Sequence, residues 1–464
     1  MKKNTFRAVI MALSAAGLAG ALSAQTNPTW NPAWKHSQKV LVQETAGIDR
    51  TREPVDIEIQ LTEQATKKNL TAIPDLVKRD VRVVRYSPVD KIFTEIPCQV
   101  YDIRNGKIAP KDSANVPVRA RIAFFTDVKA YTTETYYVCH GNPDAPAPRY
   151  QSPLSVKGER VKYTIDNSHY RILTEEKSGQ IDQIDLKFSS KASLRFKFGT
   201  LHWNPDFIVI PENFPKDGYT WFYAHHFVDP PHEVESGPIF FSIKRRQLIP
   251  NQDTVYMEVY YRFYAGLPWF IMSSRIEAKK DTRTFAIRND ELAFGRTDFT
   301  HAGWRDKTPD MLDTDNGEIG TTKVWGDDTI RLGGHSLGSS LPPNMAWFSL
   351  CNIKNGDAVA SIRLEWENKN VLTGEPSPLY NSHTVISEHD EGFYWFRSLI
   401  YSPRGYTTMS LSEIDKNLIP VPKGSSYYEK NAYLLYEFGM EKKFDPVDAL
   451  NFQLRAPLNV KVIS

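Results

Sequence analysis

The chain has 464 residues, of which 41% are hydrophobic and 12% aromatic, and this composition excludes a disordered chain, a collagen-like repeat and a small disulfide scaffold. Lysine and arginine number 57 against 55 aspartate and glutamate residues, so the formal charge is only +2. A nucleic-acid-binding protein usually has a basic excess or a basic face, so this balance argues against a nucleic-acid partner.

The start of the chain is typical of a secretory signal peptide, which we predict over residues 1–24. A basic start precedes an apolar run over residues 8–22, and the small residues Ser23 and Ala24 stand before Gln25. The apolar run is short for a membrane span, and no later segment is apolar over a spanning length. We therefore expect an exported protein, periplasmic or secreted, that is not inserted into a membrane.

Alternation of apolar and polar residues predicts β-strands in the region after residue 50. The N-terminal strand candidates are Val55–Leu61, Val81–Tyr86, Cys98–Ile103, Val118–Phe125 and Thr132–Cys139. The proline-rich stretch Gly141–Pro148 then predicts a linker. A second series of strands runs from Val161 to about residue 403, so we predict two β domains in tandem. Modest helical signal is confined to Ser410–Leu418 and Ser425–Tyr436.

The three cysteines leave two alternatives open. In an oxidising compartment Cys98 and Cys139 would form a disulfide, because both lie in the N-terminal region. The other alternative is three buried free thiols, with Cys351 as the third. Their scattered spacing is not that of a zinc site.

One β-hairpin can be predicted with its register. Thr254–Tyr264 and Trp269–Lys279 flank a short turn. Pairing Phe263 with Phe270 also pairs Tyr261 with Met272 and Met257 with Ile276, and brings these side chains to one face. The other face is aromatic and charged, and places Glu258 opposite Arg275. It is either ordinary solvent-facing surface or a binding groove. Its members are Glu258, Tyr260, Arg262, Tyr264, Ser273, Arg275 and Glu277.

Three stretches, Val116–Tyr137, Val161–Ile172 and Glu235–Ile239, resemble parts of bacterial carbohydrate-active proteins of the rhamnogalacturonan exolyase and YetA-like kind. Val116–Tyr137 looks like the closing strands of a small barrel, and Val161–Ile172 is similar to the first strands of a galactose-mutarotase-like β-supersandwich. Glu235–Ile239 resembles a strand of the same sandwiches. The resemblance implies an all-β fold, with a small N-terminal β-barrel over residues 25–150 followed by a large antiparallel β-supersandwich over residues 151–464. It also implies chemistry on sugar polymers, although a shared fold names no catalytic residue.

The segment Trp221–Asp229 is the first candidate for chemistry. Read as a strand, it places Trp221, Tyr223 and His225 on one face, where aromatic rings can stack on sugars. His226 is then expected in the core.

Two further clusters combine polar and aromatic residues at the ends of strands. The first continues from Arg288–Asp290, and its candidates are Glu291, His301, Trp304 and Arg305. The alternative for this cluster is a solvated loop whose tryptophan covers one end of the sandwich. The other cluster follows His383, and its candidates are His389, Trp395 and Arg397. A divalent metal ion held by histidine and carboxylate stays open there, but no spacing is diagnostic and no cofactor is predicted with certainty.

Two apparent motifs are rejected. Gly334–Gly338 matches a G-x-S-x-G nucleophile elbow, but prolines at 342 and 343 prevent the helix that this motif requires. Asp313–Gly317 looks like an EF-hand loop, but its glycine is one place early and the final glutamate is absent.

The leading hypothesis is a lyase that cleaves a uronate-containing polysaccharide or oligosaccharide by β-elimination. Such a reaction needs a base for the C5 proton, an acid for the departing oxygen and a cation for the substrate carboxylate. We predict His225 as the base, with His301 as a further candidate. Tyr223 or Tyr260 is the predicted acid, and Arg262 or Arg305 the carboxylate partner. The substrate-binding candidates are Trp221, Glu258, Tyr264, Glu291, Trp304, His389, Trp395 and Arg397.

Two alternatives come from different classes of protein. A glycoside hydrolase on the same scaffold would use paired carboxylates such as Glu258, Glu277 or Glu291. A glycan-binding protein would use the aromatic faces without turnover.

Overall fold

The structure is a computed structural model that describes residues 30–463 apart from several internal segments. The segments left out are 66–71, 106–113, 189–205, 210–219, 250–252, 285, 296–297, 300, 306–318, 324–344, 390–391, 402–415, 417 and 440. The predicted signal peptide, the rejected motifs at 313–317 and 334–338, and most of the helix predicted over 410–418 lie outside the described residues.

The N-terminal region is built from seven strands and one helix. The strands are β1 (His36–Gln43), β2 (Arg50–Ala65), β3 (Arg82–Ser87), β4 (Ile92–Ile96), β5 (Cys98–Asn105), β6 (Ala114–Val128) and β7 (Thr133–His140). All five strands predicted in this region are confirmed. The helix α1 (Ile73–Asp80) was not predicted; its Pro74 stands in the first turn, where proline costs no hydrogen bond.

The remainder of the chain adds a second, larger set of strands. The first of these are β8 (Ser155–Glu159), β9 (Lys162–Asp166), β10 (Tyr170–Thr174), β11 (Ile181–Leu186), β12 (Asp206–Val209), β13 (Thr220–Tyr223), β14 (His232–Ser236), β15 (Phe240–Leu248), β16 (Val255–Tyr264) and β17 (Trp269–Ala278). The later elements are β18 (Thr282–Thr284), β19 (Ala286–Gly295), β20 (His301–Arg305), β21 (Ile319–Lys323), β22 (Trp347–Cys351), β23 (Asp357–Asn368), β24 (His383–His389), β25 (Gly392–Tyr401), β26 (Ile419–Val421), β27 (Ser426–Glu437), α2 (Asp445–Arg455) and β28 (Asn459–Ile463).

These strands form antiparallel sheets, so the predicted all-β fold class is confirmed. The N-terminal sheets have the orders β28-β1-β7-β3-β4 and β2-β6-β5. A nine-stranded sheet, β14-β15-β16-β17-β27-β23-β22-β20-β21, dominates the rest of the molecule. One face of this large sheet packs on the sheets β11-β10-β9-β8 and β13-β12-β19-β25-β24, and the largest hydrophobic cluster of the described residues lies between them.

The predicted hairpin is confirmed in its register. Phe263 pairs with Phe270, and Glu258 pairs with Arg275. The apolar side chains of β16 and β17 join the core between the sheets, as the alternation required. The opposite face of the two strands is the outer face of the large sheet.

The β8–β9 hairpin depends on a glycine. Gly158 has a φ of +133°, and a Cβ atom there would lie 2.0 Å from the carbonyl oxygen of Lys162. Such a backbone leaves no room for a side chain. The hairpin packs Ile165 and its neighbours against the inner face of the large sheet.

Two expectations from the sequence are corrected. Ser425–Tyr436, which had modest helical signal, is the strand β27 near the centre of the large sheet, where pairing on both sides overrides local propensity. The three cysteines are buried free thiols, so the Cys98–Cys139 disulfide is not formed.

The strand β28 joins the N-terminal sheet instead of the large one. Its residues pair with β1 from Lys39–Ile463 to Gln43–Asn459. The Arg50 side chain donates hydrogen bonds to the carbonyl oxygens of Gln453 and Ala456 at 2.9 and 2.5 Å. The division into domains at residues 150 and 151 stays a prediction, but this strand crosses from the second predicted domain to the first.

Among the described residues, no helix combines the length and the apolar character needed to cross a membrane.

Candidate active site

A break in the pairing of β19 with β25 places an acidic residue inside the sandwich. The register shifts between Asn289 and Leu292, and Asp290 within this bulge has a φ of +53°. Its side chain is fully buried. Positive φ is costly for residues other than glycine, and such strain, like bulges, is concentrated at functional sites.

The Asp290 carboxylate meets charged groups from three other strands. Nε of Arg397, on β25, lies 3.2 Å from Asp290 Oδ2 and 2.7 Å from Glu429 Oε1. The Ser361 hydroxyl donates to Asp290 Oδ2 at 2.8 Å, and Arg363 Nε lies 3.3 Å from Glu429 Oε1. We call these five residues, Asp290, Ser361, Arg363, Arg397 and Glu429, the interior charge cluster.

Burial changes the protonation of this cluster. The pKa of Asp290 is raised to about 7: burial and the nearby Glu429 carboxylate raise it, while Arg397 and the Ser361 hydroxyl act against the rise. Burial also lowers the pKa of Arg363. Acid–base catalytic sites characteristically contain a carboxyl group with a pKa near neutral beside a second carboxylate.

Polar atoms around the cluster have unused hydrogen-bonding capacity. Within the part of the chain that the structure describes, Asp290 Oδ1, Asn289 Nδ2 and both side-chain polar atoms of Asn431 are buried without a hydrogen-bond partner. The hydroxyl of Ser274 bonds to Asn289 Oδ1. Buried polar atoms are normally paired, so these groups indicate a place for water or for a hydroxyl-rich ligand.

The structure places the residues that the sequence predicts as catalytic at separate positions. Tyr223 ends β13, and the chain then turns into a 3-10 helix, Ala224–His226, so the strand parity predicted for this segment is wrong beyond Tyr223. His225 is partly buried and its ring stacks on Tyr223 at 4.7 Å, whereas His226 is exposed rather than in the core. Tyr223 and His225 are therefore the one predicted base–acid pair that the structure brings together.

The charged face of the predicted hairpin is covered in part by the N-terminal sheets. Arg262 Nη1 lies 3.0 Å from the Asp56 carboxylate on β2, and its Nε donates to the Tyr260 hydroxyl at 2.5 Å. Tyr264 is buried beside Trp269. The Arg262 guanidinium therefore already pairs with a carboxylate of the protein, and its role as partner of a substrate carboxylate stays a prediction.

Glu258, lower on the same face, has polar neighbours on both sides. Its carboxylate lies 3.1 Å from Lys244 Nζ and accepts a hydrogen bond from the Tyr256 hydroxyl at 3.3 Å. It is thus part of a charged sheet surface and lies apart from the interior charge cluster.

Arg305 is likewise engaged within the protein. It forms an ion pair with Asp448 of α2, and the Trp347 indole donates to the same carboxylate at 2.7 Å. The role of substrate carboxylate partner predicted for Arg305 stays a prediction. Trp304 packs partly buried against the core.

The remaining candidates are placed by their strands alone. Trp221 pairs with Ile208 on β12, and His301 pairs with Cys351 on β22. Glu291 lies in the bulge of β19, while Trp395 and His389 lie on the neighbouring strands β25 and β24. Of the predicted residues, Arg397 alone belongs to the interior charge cluster.

Sequence reasoning missed the partners of Arg397. Glu429 was read as part of a helical segment, and Ser361 and Arg363 carried no signal. Asp290 was noticed, but in a stretch whose alternative was a solvated loop, whereas the structure buries it in a strand. A glutamate in a stretch rich in tyrosine and leucine was the one available hint.

The described part of the chain contains no group of three or more histidine, cysteine, aspartate or glutamate side chains arranged to hold a metal ion.

Comparison with known proteins gives similarity of fold. No protein-family model matches the chain, and no curated protein matches it. A glycosyl hydrolase family 38 protein from Enterococcus faecalis is similar over 92% of this chain and 47% of its own, with 11% identity and a TM-score of 0.53. An alpha-mannosidase from Enterococcus faecalis V583 is similar over 92% of this chain and 46% of its own, with 13% identity and a TM-score of 0.51.

The chain thus spans slightly less than half the length of these two structures. At identities this low, the likeness establishes a shared β-rich architecture and does not extend to activity. The resemblance to rhamnogalacturonan exolyases and YetA-like proteins stays a prediction.

Proposed function

We propose that this protein is an exported carbohydrate-active enzyme that cleaves glycosidic bonds with the carboxyl groups of Asp290 and Glu429. The observation that carries the proposal is the pair of buried carboxyl groups that share Arg397. The similar structures from Enterococcus faecalis are described as glycosyl hydrolase family 38 and alpha-mannosidase, which supports a sugar substrate. The sequence features of a signal peptide support export.

In the proposed chemistry the two carboxyl groups have different roles. Asp290, with its pKa raised to about 7, is protonated in a substantial fraction of the molecules at neutral pH, and this form gives its proton to the departing glycosidic oxygen. Glu429, whose Oε1 lies 2.7 Å from Arg397 Nε, attacks the sugar carbon as the glycosidic bond breaks, and water then hydrolyses the glycosyl ester to release the sugar. Asp290 Oδ2 and Glu429 Oε1 lie 3.2 and 2.7 Å from the same atom, Arg397 Nε. The distance between these two oxygens therefore cannot exceed the sum of the two contacts. This spacing favours a retaining reaction, since inversion needs a gap of roughly 6.5–9.5 Å for water.

Both carboxyl groups are closed to solvent in this conformation. The proposal therefore requires the two sheets to part beside Arg397 when a sugar enters. The partnerless amide of Asn431 and the Asn289 nitrogen would then bind sugar hydroxyl groups.

The test is a panel of neutral and uronate-containing glycans, with new reducing ends and ultraviolet absorbance of unsaturated uronate both recorded. We expect reducing ends without absorbance, and a loss of about 100-fold or more in kcat for D290N and for E429Q. D448N is the matched control, because Asp448 also pairs with an arginine but lies at α2. Full activity of D290N and E429Q would overturn the assignment.

A second candidate function, the β-elimination of a uronate glycan, is favoured by the stacked Tyr223 and His225. Histidine and tyrosine are suitable base and acid for that reaction, and their rings are 4.7 Å apart. In the same panel this function predicts absorbance that rises together with reducing ends. Activity would then be lost in H225Q and Y223F and retained in E429Q. An acidic glycan substrate belongs to this second candidate.

A further inference from the structure

A cleft outside the interior charge cluster lies between the N-terminal sheets and the large sheet. Its volume is about 540 Å³, which is within the range of pockets that hold small ligands. Helix α1, the start of β5, the segment 148–152 and the end of β14 all contribute to its walls. One wall of the cleft is formed by Ser236, Gly237 and Pro238. These residues belong to Glu235–Ile239, the stretch that resembles a strand of carbohydrate-active sandwiches and has no part in the proposed function.

The charge of this cleft is one-sided. Lys78 and Arg149 line it and are exposed, and the lining contains no aspartate or glutamate. Neither cation has a carboxylate partner among the residues that the structure describes. Glu95 lies nearby, but it accepts a hydrogen bond from the Tyr150 hydroxyl at 2.8 Å and is neutralised by Arg82 at 3.2 Å. The cleft therefore attracts an anionic group.

The floor of the cleft is fixed and polar. Gln99 Oε1 accepts hydrogen bonds from the backbone nitrogens of Phe240 and Ile239 at 2.9 and 3.3 Å, which determines the orientation of its amide. Its Nε2 is a buried donor that has no acceptor in the described part of the chain. The backbone at Gly237 approaches this side chain so closely that a Cβ would lie 2.4 Å from Gln99 Cδ.

We propose that this cleft is a glycan-binding site, separate from the interior charge cluster, that takes a uronate residue. The sugar carboxylate lies between Lys78 and Arg149, and the ring lies beside Tyr150. Its hydroxyl groups meet the exposed Ser236 hydroxyl and, at the floor, the Gln99 amide. Binding here holds an acidic chain on the protein and does not depend on catalysis at Asp290.

The test is isothermal titration of the purified protein with trimers of galacturonate, glucuronate and mannuronate. A neutral trisaccharide and inorganic phosphate are the comparison ligands. We expect at least one uronate trimer to bind, with the neutral sugar and phosphate about tenfold weaker or more. Silence of all three uronate trimers, or equal binding of the neutral sugar or of phosphate, overturns the proposal.

Variants assign the binding to the cleft. K78A/R149A removes two cations from the lining, and we expect it to weaken binding about tenfold or more. K157A/K354A removes two exposed lysines elsewhere on the surface and should leave affinity unchanged. S236W fills the cleft from an exposed position without a change of charge and should abolish binding. E429Q should bind normally, which separates this site from the proposed active site. Unchanged affinity in S236W overturns the assignment.

Discussion

At the scale of single residues, the buried charges are the least expected feature of this molecule. Asp290, Arg397 and Glu429 lie in the interior of a sandwich whose core is mainly aliphatic and aromatic. Removing charges from water is costly, and a buried pair is often no more stabilising than apolar residues of the same shape. A function is the usual reason for keeping such a cluster, and this is why we place the proposed chemistry there.

The raised pKa of Asp290 predicts how stability varies with pH. A carboxyl group whose pKa is raised on folding holds its proton better in the native state, so its contribution is present at low pH and is lost as pH rises from about 4 to about 7. The free energy of unfolding of the wild type should therefore fall, relative to D290N, by a few kcal/mol across this range. Urea unfolding at several pH values measures the difference. Parallel curves for the two proteins would contradict the raised pKa.

Arg397 is predicted to matter more for stability than any surface arginine. R397M leaves Glu429 and Asp290 without their shared cation, and breaking a buried pair costs about 3–5 kcal/mol. R397K keeps the charge but not the planar group, so an intermediate loss is expected. R85M is the control, because Arg85 pairs with Glu134 at the surface and should cost about 1 kcal/mol or less. Equal urea midpoints for R397M and R85M would show that the cluster does not hold the sheets together.

At the scale of elements, the alternation of residues predicted the strands well where one face is core and the other is polar. The hairpin of β16 and β17 was predicted in its register, since one residue of slip would have moved Phe263 and Phe270 out of the core. The same reasoning failed for β27, whose two faces are both largely buried and whose sequence therefore does not alternate.

The site itself was largely beyond sequence reasoning. The bulge at Asp290 depends on the pairing of β19 with β25, and Glu429 reaches it from β27 across the sandwich. Contacts between strands so distant in the chain follow from topology, and a single sequence does not specify topology. Tyr223 and His225 are only two residues apart in the chain, so their contact depends on local structure. This is why the sequence could predict that this base–acid pair lies together.

Gly158 is predicted to be essential to the β8–β9 hairpin. G158A adds a Cβ that meets the Lys162 carbonyl, in addition to the cost of the +133° φ. We expect a loss of about 2–4 kcal/mol. G374A is a matched control, because Gly374 also has positive φ, at +80°, but no atom lies closer than 3.7 Å to the added Cβ, so about 1 kcal/mol is expected. Thermal unfolding of the two variants tests the order, and an equal loss in both would mean that the contact with Lys162 is relieved cheaply.

At the scale of the whole molecule, contacts between the N-terminal sheets and the large sheet combine an apolar cluster with specific polar pairs. Arg262 connects the large sheet to Asp56, which also pairs with Arg121 at 2.9 Å. The guanidinium of Arg262 lies 4.2 Å from the centre of the Phe240 ring. Gln99 adds two hydrogen bonds to the backbone of the large sheet. These contacts predict that the two parts unfold together.

A double-mutant cycle of R262M and D56N measures this connection. The pair is about four-fifths buried, so we expect a coupling of about 1–2 kcal/mol, above that of an exposed pair. Calorimetry should give one transition for the wild type and a broader or split one for the double variant. A coupling near zero, with one sharp transition retained, would mean that apolar packing around Tyr101 and Phe240 holds the parts together without the ion pair.

The pairing of β28 with β1 has a consequence for the order in which the molecule is made. Arg50 and its partner at Ala456 are 406 residues apart in the chain, and β28 follows Ala456. The sheet that contains β1 therefore cannot be completed until β28 has been synthesised. During that interval β1 has an unpaired edge, which is a template for wrong partners. Contacts of such sequence separation slow folding, and incompletely closed sheets are prone to aggregation. We therefore expect other factors to keep the nascent chain unfolded until β28 is available to pair with β1.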